Sequence, residues 1–338
     1  MSKGKIKVAI NGFGRIGRAS FKIILERYNS SMEVVAINDL TDTKTLAHLL
    51  KYDSCYGIYN QEVSFDAKNI VVAKKKYPIL AEKDPSALPW AKLGVDVVLE
   101  CTGRFTNRED AGKHIKAGAK KVIISAPAKD KSGVKTFVIG VNEKTLTKKD
   151  VVISCASCTT NCLAPVTDIV RRHFGIKKAI MTTIHSYTAD QNLVDGPHKD
   201  LRRARAAAIN MVPTTTGAAI AATETIPSLK GKFDGMAVRV PTPVGSLCDI
   251  VFLTKKKLTV ESVNKVMSLE AKKSKGIVEA SNEPLVSIDI VKNSHSSIVD
   301  LGMTKVVDGD LLKITAWYDN EWGYSNRLVD LSFLVMKK

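Results

Sequence analysis

Along the first 150 residues the apolar positions come in short runs separated by longer amphipathic stretches. KIKVAIN (5–11), EVVAIND (33–39), VDVVLECTG (95–103) and KKVIISAP (120–127) have the character of buried strands. Between the first two, Ile16, Ala19, Ile23 and Ile24 recur at helical spacing in RIGRASFKIILERY, and TNREDAGKHIKAGA fills the interval between the last two. Strand and helix in alternation predict a doubly wound parallel sheet. Beyond residue 158 the texture changes. KKAIMTTIHSYT (177–188), GMAVRVPTP (235–243), SLCDIVFLT (246–254) and LKITAWYDNEW (312–322) read as longer strands of a mostly antiparallel sheet, with amphipathic segments at 159–173, 217–226 and 260–274. This predicts a second domain of α+β type, with no repeats and no low-complexity linker. The tail YSNRLVDLSFLVMKK reads as a closing helix that the sequence alone does not dock.

A chain of 338 residues suits two domains, each of about 150 residues. Its 44% hydrophobic and 25% charged residues are enough for a sizeable core. No apolar run reaches the length of about 18 residues needed for a bilayer span, and MSKGKIKVAINGFG has no signal-peptide apolar region. The expectation is a soluble cytoplasmic protein whose cysteines, at 55, 101, 155, 158, 162 and 248, are reduced. The formal net charge is +17, but the lysines fall in scattered groups such as 74–76 and 255–257, without interleaved aromatics or a binding-module signature. That favours a solvated basic surface, attractive to anionic metabolites, over a nucleic-acid site.

The first strand runs into INGFGRIGR, so Gly12, Gly14 and Gly17 form G-x-G-x-x-G between a strand and a helix. Packing turns can produce the same pattern. Here strand, helix and acid agree, because the second strand ends at Asp39, 22 residues after Gly17, close to the offset of about 20 for a ribose-binding carboxylate. Glycine lets the backbone approach a pyrophosphate, the helix start offers unpaired N–H groups, and the carboxylate accepts ribose hydroxyls while repelling a 2′-phosphate. The expected cofactor is therefore NAD rather than NADP, on a Rossmann-type fold. The expected domains are 1–157 for NAD binding, completed by a C-terminal helix over 324–338, and 158–323 for catalysis.

In VVISCASCTTNC (151–162), three of the six cysteines fall within eight residues. A zinc site would need a fourth Cys or His at compatible spacing nearby, and none is convincing, so no metal is expected. A redox disulfide stays open, although the surroundings do not resemble a thioredoxin motif. The remaining reading is one nucleophile with two bystanders. Helical periodicity begins directly after the cluster and puts Cys158 at a helix N-terminus, where the dipole and unpaired N–H groups favour a thiolate. Cys162, one turn on, and Cys155, at the end of VVISC, read as core. His185, in TTIHSYT, is the candidate base, which would draw off the thiol proton to give a thiolate–imidazolium pair. His48, His114, His173, His198 and His295 lie in weaker helix-like or loop contexts.

INGFGRIGR, SCASCTTNCLAP, HSYT, PHKDLRRAR, PTTTGAA, RVPTPV and WYDNEWGYSNR occur in this order across essentially the whole chain. Together they resemble the phosphorylating glyceraldehyde-3-phosphate dehydrogenases. The resemblance implies a glycolytic oxidation of D-glyceraldehyde 3-phosphate, with NAD and inorganic phosphate, to 1,3-bisphosphoglycerate. Cys158 would add to the aldehyde as a thiohemiacetal. His185 would act as base and, with the Cys158 N–H, stabilise the oxyanion. Hydride would pass to the nicotinamide, and phosphate would attack the thioester. Thr188 and Arg239 would hold the substrate phosphate; Ser157, Thr159, Thr216 and Gly217 would hold the attacking one. Hydroxyl-rich PTTTG opening a helix suits an anion, and an Arg inside an apolar strand is costly to bury without one. For NAD, Arg15 and Ile16 would lend backbone groups to the pyrophosphate beside Gly12, Gly14 and Gly17. Lys83 would lie near the adenine, Ser125 toward the nicotinamide, and Asn320 on the carboxamide. Pro197 matches the family's NAD-preferring pattern. The family also implies a homotetramer that needs neither membrane nor nucleic acid.

The chain departs from the family at a few positions. Cys155 stands where Asn is commoner, adding a thiol that could join a disulfide, as could Cys162. Lys83 replaces a frequent Arg and loses a planar stacking group. YDSCYGIY (52–59) has Tyr-Gly-Ile for a commoner His-Gly-Arg. The nearest rival reading is the same chemistry on erythrose 4-phosphate. A second is an acyl-phosphate or semialdehyde reductase, against which Asp39 argues. The third is a basic nucleic-acid-binding protein, whose binding would fall steeply with salt and survive Cys158→Ser.

Overall fold

The apolar runs of the N-terminal half form the middle of a nine-stranded sheet. Its spatial order is β10 (Lys135–Thr136), β11 (Val152–Ser154), β9 (Lys121–Ile124), β8 (Val97–Glu100), β1 (Ile6–Asn11), β2 (Met32–Asn38), β7 (Lys75–Leu80), β6 (Asn69–Val72) and β5 (Val63–Phe65). Pairing is parallel from β10 through β7 and antiparallel across β7, β6 and β5. Val8, Ile10, Val97, Leu99, Val122 and Ile124 are fully buried, each worth about 1.5–3 kcal/mol against an exposed side chain. The crossover helices are α1 (Arg15–Arg27), α2 (Thr43–Lys51), α3 (Trp90–Leu93) and α4 (Arg108–Lys116), and β3 (Tyr52–Asp53) and β4 (Gly57–Ile58) form a separate hairpin. Asp42 and Asn107 cap α2 and α4 by accepting from the Thr45 and Asp110 amides.

The antiparallel edge was not anticipated. β6 and β7 are joined by Ala73 and Lys74, both at positive φ (47° and 66°). That is the geometry of a two-residue hairpin turn usually written with Asn and Gly. Lysines at 74–76 keep this edge soluble.

The computed structural model describes residues 4–129 and 133–338. The chain divides into two units, one running from the N-terminal segment to Phe137 and taking in Thr145–Ala156 and Ser325–Lys338, the other comprising Val138–Lys144 and Ser157–Tyr324. The second unit holds a seven-stranded sheet in the order β13 (Val212–Thr215), β14 (Phe233–Val240), β12 (Ile176–Ser186), β15 (Ser246–Thr254), β18 (Leu311–Tyr318), β17 (Ser297–Val307) and β16 (Val278–Ser281). Four pairings are antiparallel; β12 with β14 and β16 with β17 are parallel. α5 (Cys158–Phe174), α6 (Ala218–Thr225) and α7 (Val260–Lys273) pack against it. β15 alternates strictly between buried and half-buried positions, as a strand covered on one face does. β17 escaped the sequence reading because Gly302 and a register shift between Asp300 and Lys305 break its pattern. The closing helix α8 (Trp322–Val335) begins under Asp319, which accepts from the Trp322 amide at 2.7 Å. Its later turns dock on the end of α1, where Tyr28 donates to Asp330 and its ring lies tilted against Phe333 at 5.4 Å.

The three motif glycines do three different things. Gly12 has φ 89°, and a Cβ there would lie 2.8 Å from the Thr102 nitrogen. A Cβ on Gly17 would lie 2.1 Å from the Gly12 carbonyl oxygen, so this glycine lets α1 close on the turn. A Cβ on Gly14 would meet nothing within 4 Å. Gly17→Ala is therefore expected to lose about 3 kcal/mol or fail to fold, whereas Gly14→Ala stays within about 1 kcal/mol of the parent. Urea unfolding of the two variants checks this.

Candidate active site and cofactor pocket

The nucleophile site is built from the ends of three elements of the second unit. Ala156, ahead of it, takes the left-handed region at φ 57°, a strain of about 1–2 kcal/mol for a non-glycine residue. Ser157 then caps α5, its Oγ accepting from the Thr160 amide at 3.0 Å, and Cys158 becomes the first residue of the helix. His185 lies near the end of β12, with Nε2 3.4 Å from Cys158 Sγ. Its Nδ1 is 2.7 Å from the Ser186 carbonyl, to which it donates, leaving Nε2 as the acceptor facing the thiol. Arg239 is the register partner of His185 across β12 and β14. Its Nη1 stands 3.1 Å from His185 Nδ1, donates to the Ser186 carbonyl at 3.1 Å and reaches Thr188 Oγ1 at 3.3 Å. Its buried Nε has no partner among the described residues.

Burial dominates the electrostatics here. It pushes the Cys158 thiol up to about 11, against the pull of the Arg239 charge and a hydrogen bond from Thr159. Burial first and Arg239 second push His185 down to about 3. Both shifts run against the thiolate–imidazolium pair expected from sequence. Desolvation opposes the charge separation that the helix dipole favours.

Two residues at the site went unread in the sequence. The Tyr318 hydroxyl bridges Thr159 Oγ1 and Thr183 Oγ1, each at 2.9 Å, and its ring meets His185 edge-on at 6.0 Å. Arg203 donates to Thr214 Oγ1 at 3.0 Å and pairs with Asp190, and its charge reaches His185 and Arg239. The motifs containing both were visible; their partners, far apart in the chain, were not. Thr160 Oγ1 donates to the Ala218 carbonyl at 3.3 Å, which joins the starts of α5 and α6. Ser157, Thr159, Thr216 and Gly217 therefore belong to two adjoining helix starts, with Thr216 Oγ1 accepting from the Ala218 amide at 3.2 Å. Asn320 is buried, and its Oδ1 accepts from the Gly245 amide at 3.1 Å and Ser246 Oγ at 3.0 Å.

The first unit carries a cavity of about 510 Å³ whose walls include Gly12, Gly14, Asp39, Lys83, Cys101 and Thr102. Asp39 is fastened over the glycine turn, accepting from the Phe13 amide at 2.7 Å and the Thr41 amide at 3.0 Å. Arg15, Ile16, Gly17 and Ser125 are not among its walls. The first three form the opening of α1, the Arg15 side chain pairing with Asp53 at 2.7 Å; Ser125 follows β9 and donates its amide to the Glu100 carbonyl. The open space over Gly14, the carboxylate edge and the adjacent helix start fit a dinucleotide. Among the described residues, no group of three or more His, Cys, Asp or Glu side chains could hold a metal ion, and no helix is long and apolar enough to cross a membrane.

A dinucleotide fold carrying this pocket, joined in one chain to an α+β unit with a Cys–His pair, is the build of an NAD-dependent oxidoreductase acting on aldehydes. Residues 6–108 match the NAD binding domain, and residues 157–320 the C-terminal domain, of glyceraldehyde 3-phosphate dehydrogenase. Similar proteins include glyceraldehyde-3-phosphate dehydrogenase of Geobacillus stearothermophilus, 55% identical over 335 residues, and that of Mycobacterium avium, 54% identical over 338 residues. Glyceraldehyde-3-phosphate dehydrogenase 1 of Bacillus cereus is 54% identical over 334 residues. Each alignment covers 98% of this chain and 99% of the relative. The chain belongs to the glyceraldehyde-3-phosphate dehydrogenase family.

The His185 shift has a measurable consequence for folding. The unfolded chain binds a proton at this ring below its ordinary value of 6.5, whereas the folded chain does so only near 3. Stability is thus complete above pH 6.5 and is lost as the pH falls from there toward 3, by about 2 kcal/mol at pH 5. Urea unfolding at pH 7 and pH 5 should show the parent losing about 2 kcal/mol more than His185→Gln; equal losses would mean the ring is not held neutral.

Proposed function

We propose that the protein oxidises D-glyceraldehyde 3-phosphate to 1,3-bisphosphoglycerate in glycolysis, with NAD and inorganic phosphate. The observation that carries this is Cys158 Sγ at 3.4 Å from the unprotonated Nε2 of His185. The proton of Cys158 moves to Nε2 as the sulfur bonds to the aldehyde carbon and the carbonyl electrons move onto oxygen. The Cys158 N–H and the His185 Nε2–H then hold the alkoxide of the thiohemiacetal. Gly12, Gly14, Arg15, Ile16, Asp39 and Lys83 would hold NAD, Ser125 and Asn320 would serve its nicotinamide side, and the cofactor would supply the hydride acceptor. Loss of the carbon-bound hydrogen as hydride, which NAD would accept, re-forms C=O as a thioester; a phosphate oxygen then attacks its carbon, the C–S bond breaks, the sulfur recovers a proton from His185, and the proton of the attacking phosphate leaves to water.

Arg239 and Thr188 hold the substrate phosphate. Support comes from the unpartnered buried Nε of Arg239, a strong donor without an acceptor among the described residues. Ser157, Thr159, Thr216 and Gly217 hold the attacking phosphate at the adjoining helix starts. Asp39 favours NAD over NADP. The protein works as a homotetramer. Leu201 and Ile209, each 81% exposed, together with Met211, Ile180, Met236 and Met303, leave apolar surface that copies of the chain would cover. None of the six cysteines is joined in a disulfide, which suits the reducing cytoplasm, and nucleic acid has no part in the reaction.

The test is NAD reduction by D-glyceraldehyde 3-phosphate, with and without inorganic phosphate, in the parent and in Cys155→Ser, Cys158→Ser and Cys162→Ser. Cys158→Ser is expected to lose about a thousandfold or more, and the other two less than about tenfold. Sustained turnover without phosphate, or an active Cys158→Ser, would remove the acyl-phosphate mechanism.

A further inference from the structure

The first unit contains a buried polar row that none of this chemistry uses. Three neighbouring parallel strands end in polar side chains standing in register, Asn38 on β2, Asn11 on β1 and Glu100 on β8. They are exposed by only 5%, 1% and 1%. The strands behind them are filled with Val, Ile and Leu, where a carboxylate survives only if hydrogen bonds replace its water.

Glu100 receives four donors. Oε1 accepts from the Thr102 amide at 2.8 Å and the Thr102 hydroxyl at 2.5 Å. Oε2 accepts from Asn11 Nδ2 at 2.5 Å and from His114 Nε2 at 3.0 Å. The last direction is fixed by Trp90, whose indole N–H can only donate and points at His114 Nδ1 from 2.9 Å. Nδ1 must accept, so in the neutral ring the proton is on Nε2 and is given to Glu100. The 3.3 Å approach of Asn11 Nδ2 to His114 Nε2 is then two donors converging on one oxygen. On the other side, Asn11 Oδ1 accepts from Asn38 Nδ2 at 2.7 Å. Asn38 in turn clamps the backbone of Glu82, donating to its carbonyl and accepting from its amide, both at 2.9 Å.

These bonds end on the walls of the cofactor cavity. The Thr102 nitrogen is the atom that a Cβ on Gly12 would strike, Asn11 precedes Gly12, and Glu82 precedes Lys83. Gly12, Lys83 and Thr102 all line the cavity. One carboxylate thus ties together three loops that are unrelated in sequence. We propose that Glu100 is a positioning residue for NAD, held as a pure acceptor by the relay from Trp90 through His114, and that this relay sets the spacing of the three loops. The proposal rests on the reading that NAD occupies this cavity.

The experiment titrates NAD into the full-length protein by calorimetry, with thermal unfolding and steady-state kinetics alongside, for Glu100→Gln, His114→Leu and His114→Gln. Gln at 114 can accept from Trp90 and donate to Glu100, so it should bind NAD within twofold of the parent. Glu100→Gln and His114→Leu should each weaken NAD binding and raise the KM for NAD tenfold or more, with kcat at saturating NAD within twofold. Tight binding in those two, or equal losses in His114→Gln and His114→Leu, overturns the relay; if Glu100→Gln does not fold, the two His114 variants still decide. Gly14→Ala and Asp39→Ala test the underlying reading. If both bind NAD normally, the cavity is not the NAD site; if they weaken binding and the relay variants do not, only the relay fails.

Discussion

The hydrogen bond from His185 Nδ1 to the Ser186 carbonyl decides what the second unit can do. A neutral imidazole has one donor and one acceptor, and this 2.7 Å bond spends the donor on the backbone. The acceptor is left facing Cys158, which is the arrangement a base requires. The pairing of β12 with β14 does the rest, because register puts Arg239 opposite His185. A one-residue slip of β14 would turn Arg239 to the other face of the sheet. Tyr318, braced by Thr159 and Thr183, closes the third side.

Burial sets the price of this arrangement. His185 is buried and Cys158 half-buried, and desolvation works against the charged form of each. In the proposed mechanism the sulfur becomes a nucleophile as its proton leaves, so proton transfer accompanies carbon–sulfur bond formation and the new negative charge settles on the aldehyde oxygen at the helix start. The positive charge of Arg239 acts in both directions, easing thiolate formation while opposing protonation of the ring.

Much of the fold could be read from the chain because its strands are buried in a simple way. Val97–Glu100 and Lys121–Ile124 sit in the middle of a parallel sheet, and such strands show as apolar runs whatever surrounds them. β5 to β7 were unreadable because an exposed edge needs no apolar run and its turn uses Ala73 and Lys74 where Asn and Gly would have announced it. β17 was hidden by its own irregularity. For the site, Cys158 and His185 could be nominated from residue type and context, while the 3.4 Å between them depends on packing around residues 158 and 185 that no spacing encodes. The Glu100 row was concealed for a related reason: each member is one polar residue closing an apolar run, and only parallel pairing sets the three side by side.

The position of α8 bears on how the molecule is made. Ser325–Lys338 belongs to the unit that begins near the N-terminus, and Asp330 and Phe333 cover the end of α1. That segment is synthesised only after the whole second unit. Cotranslational folding favours N-terminal domains, yet here the N-terminal unit is the first begun and the last finished. Until that segment is made, Tyr28 lacks its contacts with Asp330 and Phe333, so a chain stopping before Ser325 leaves unfinished the unit that was begun first.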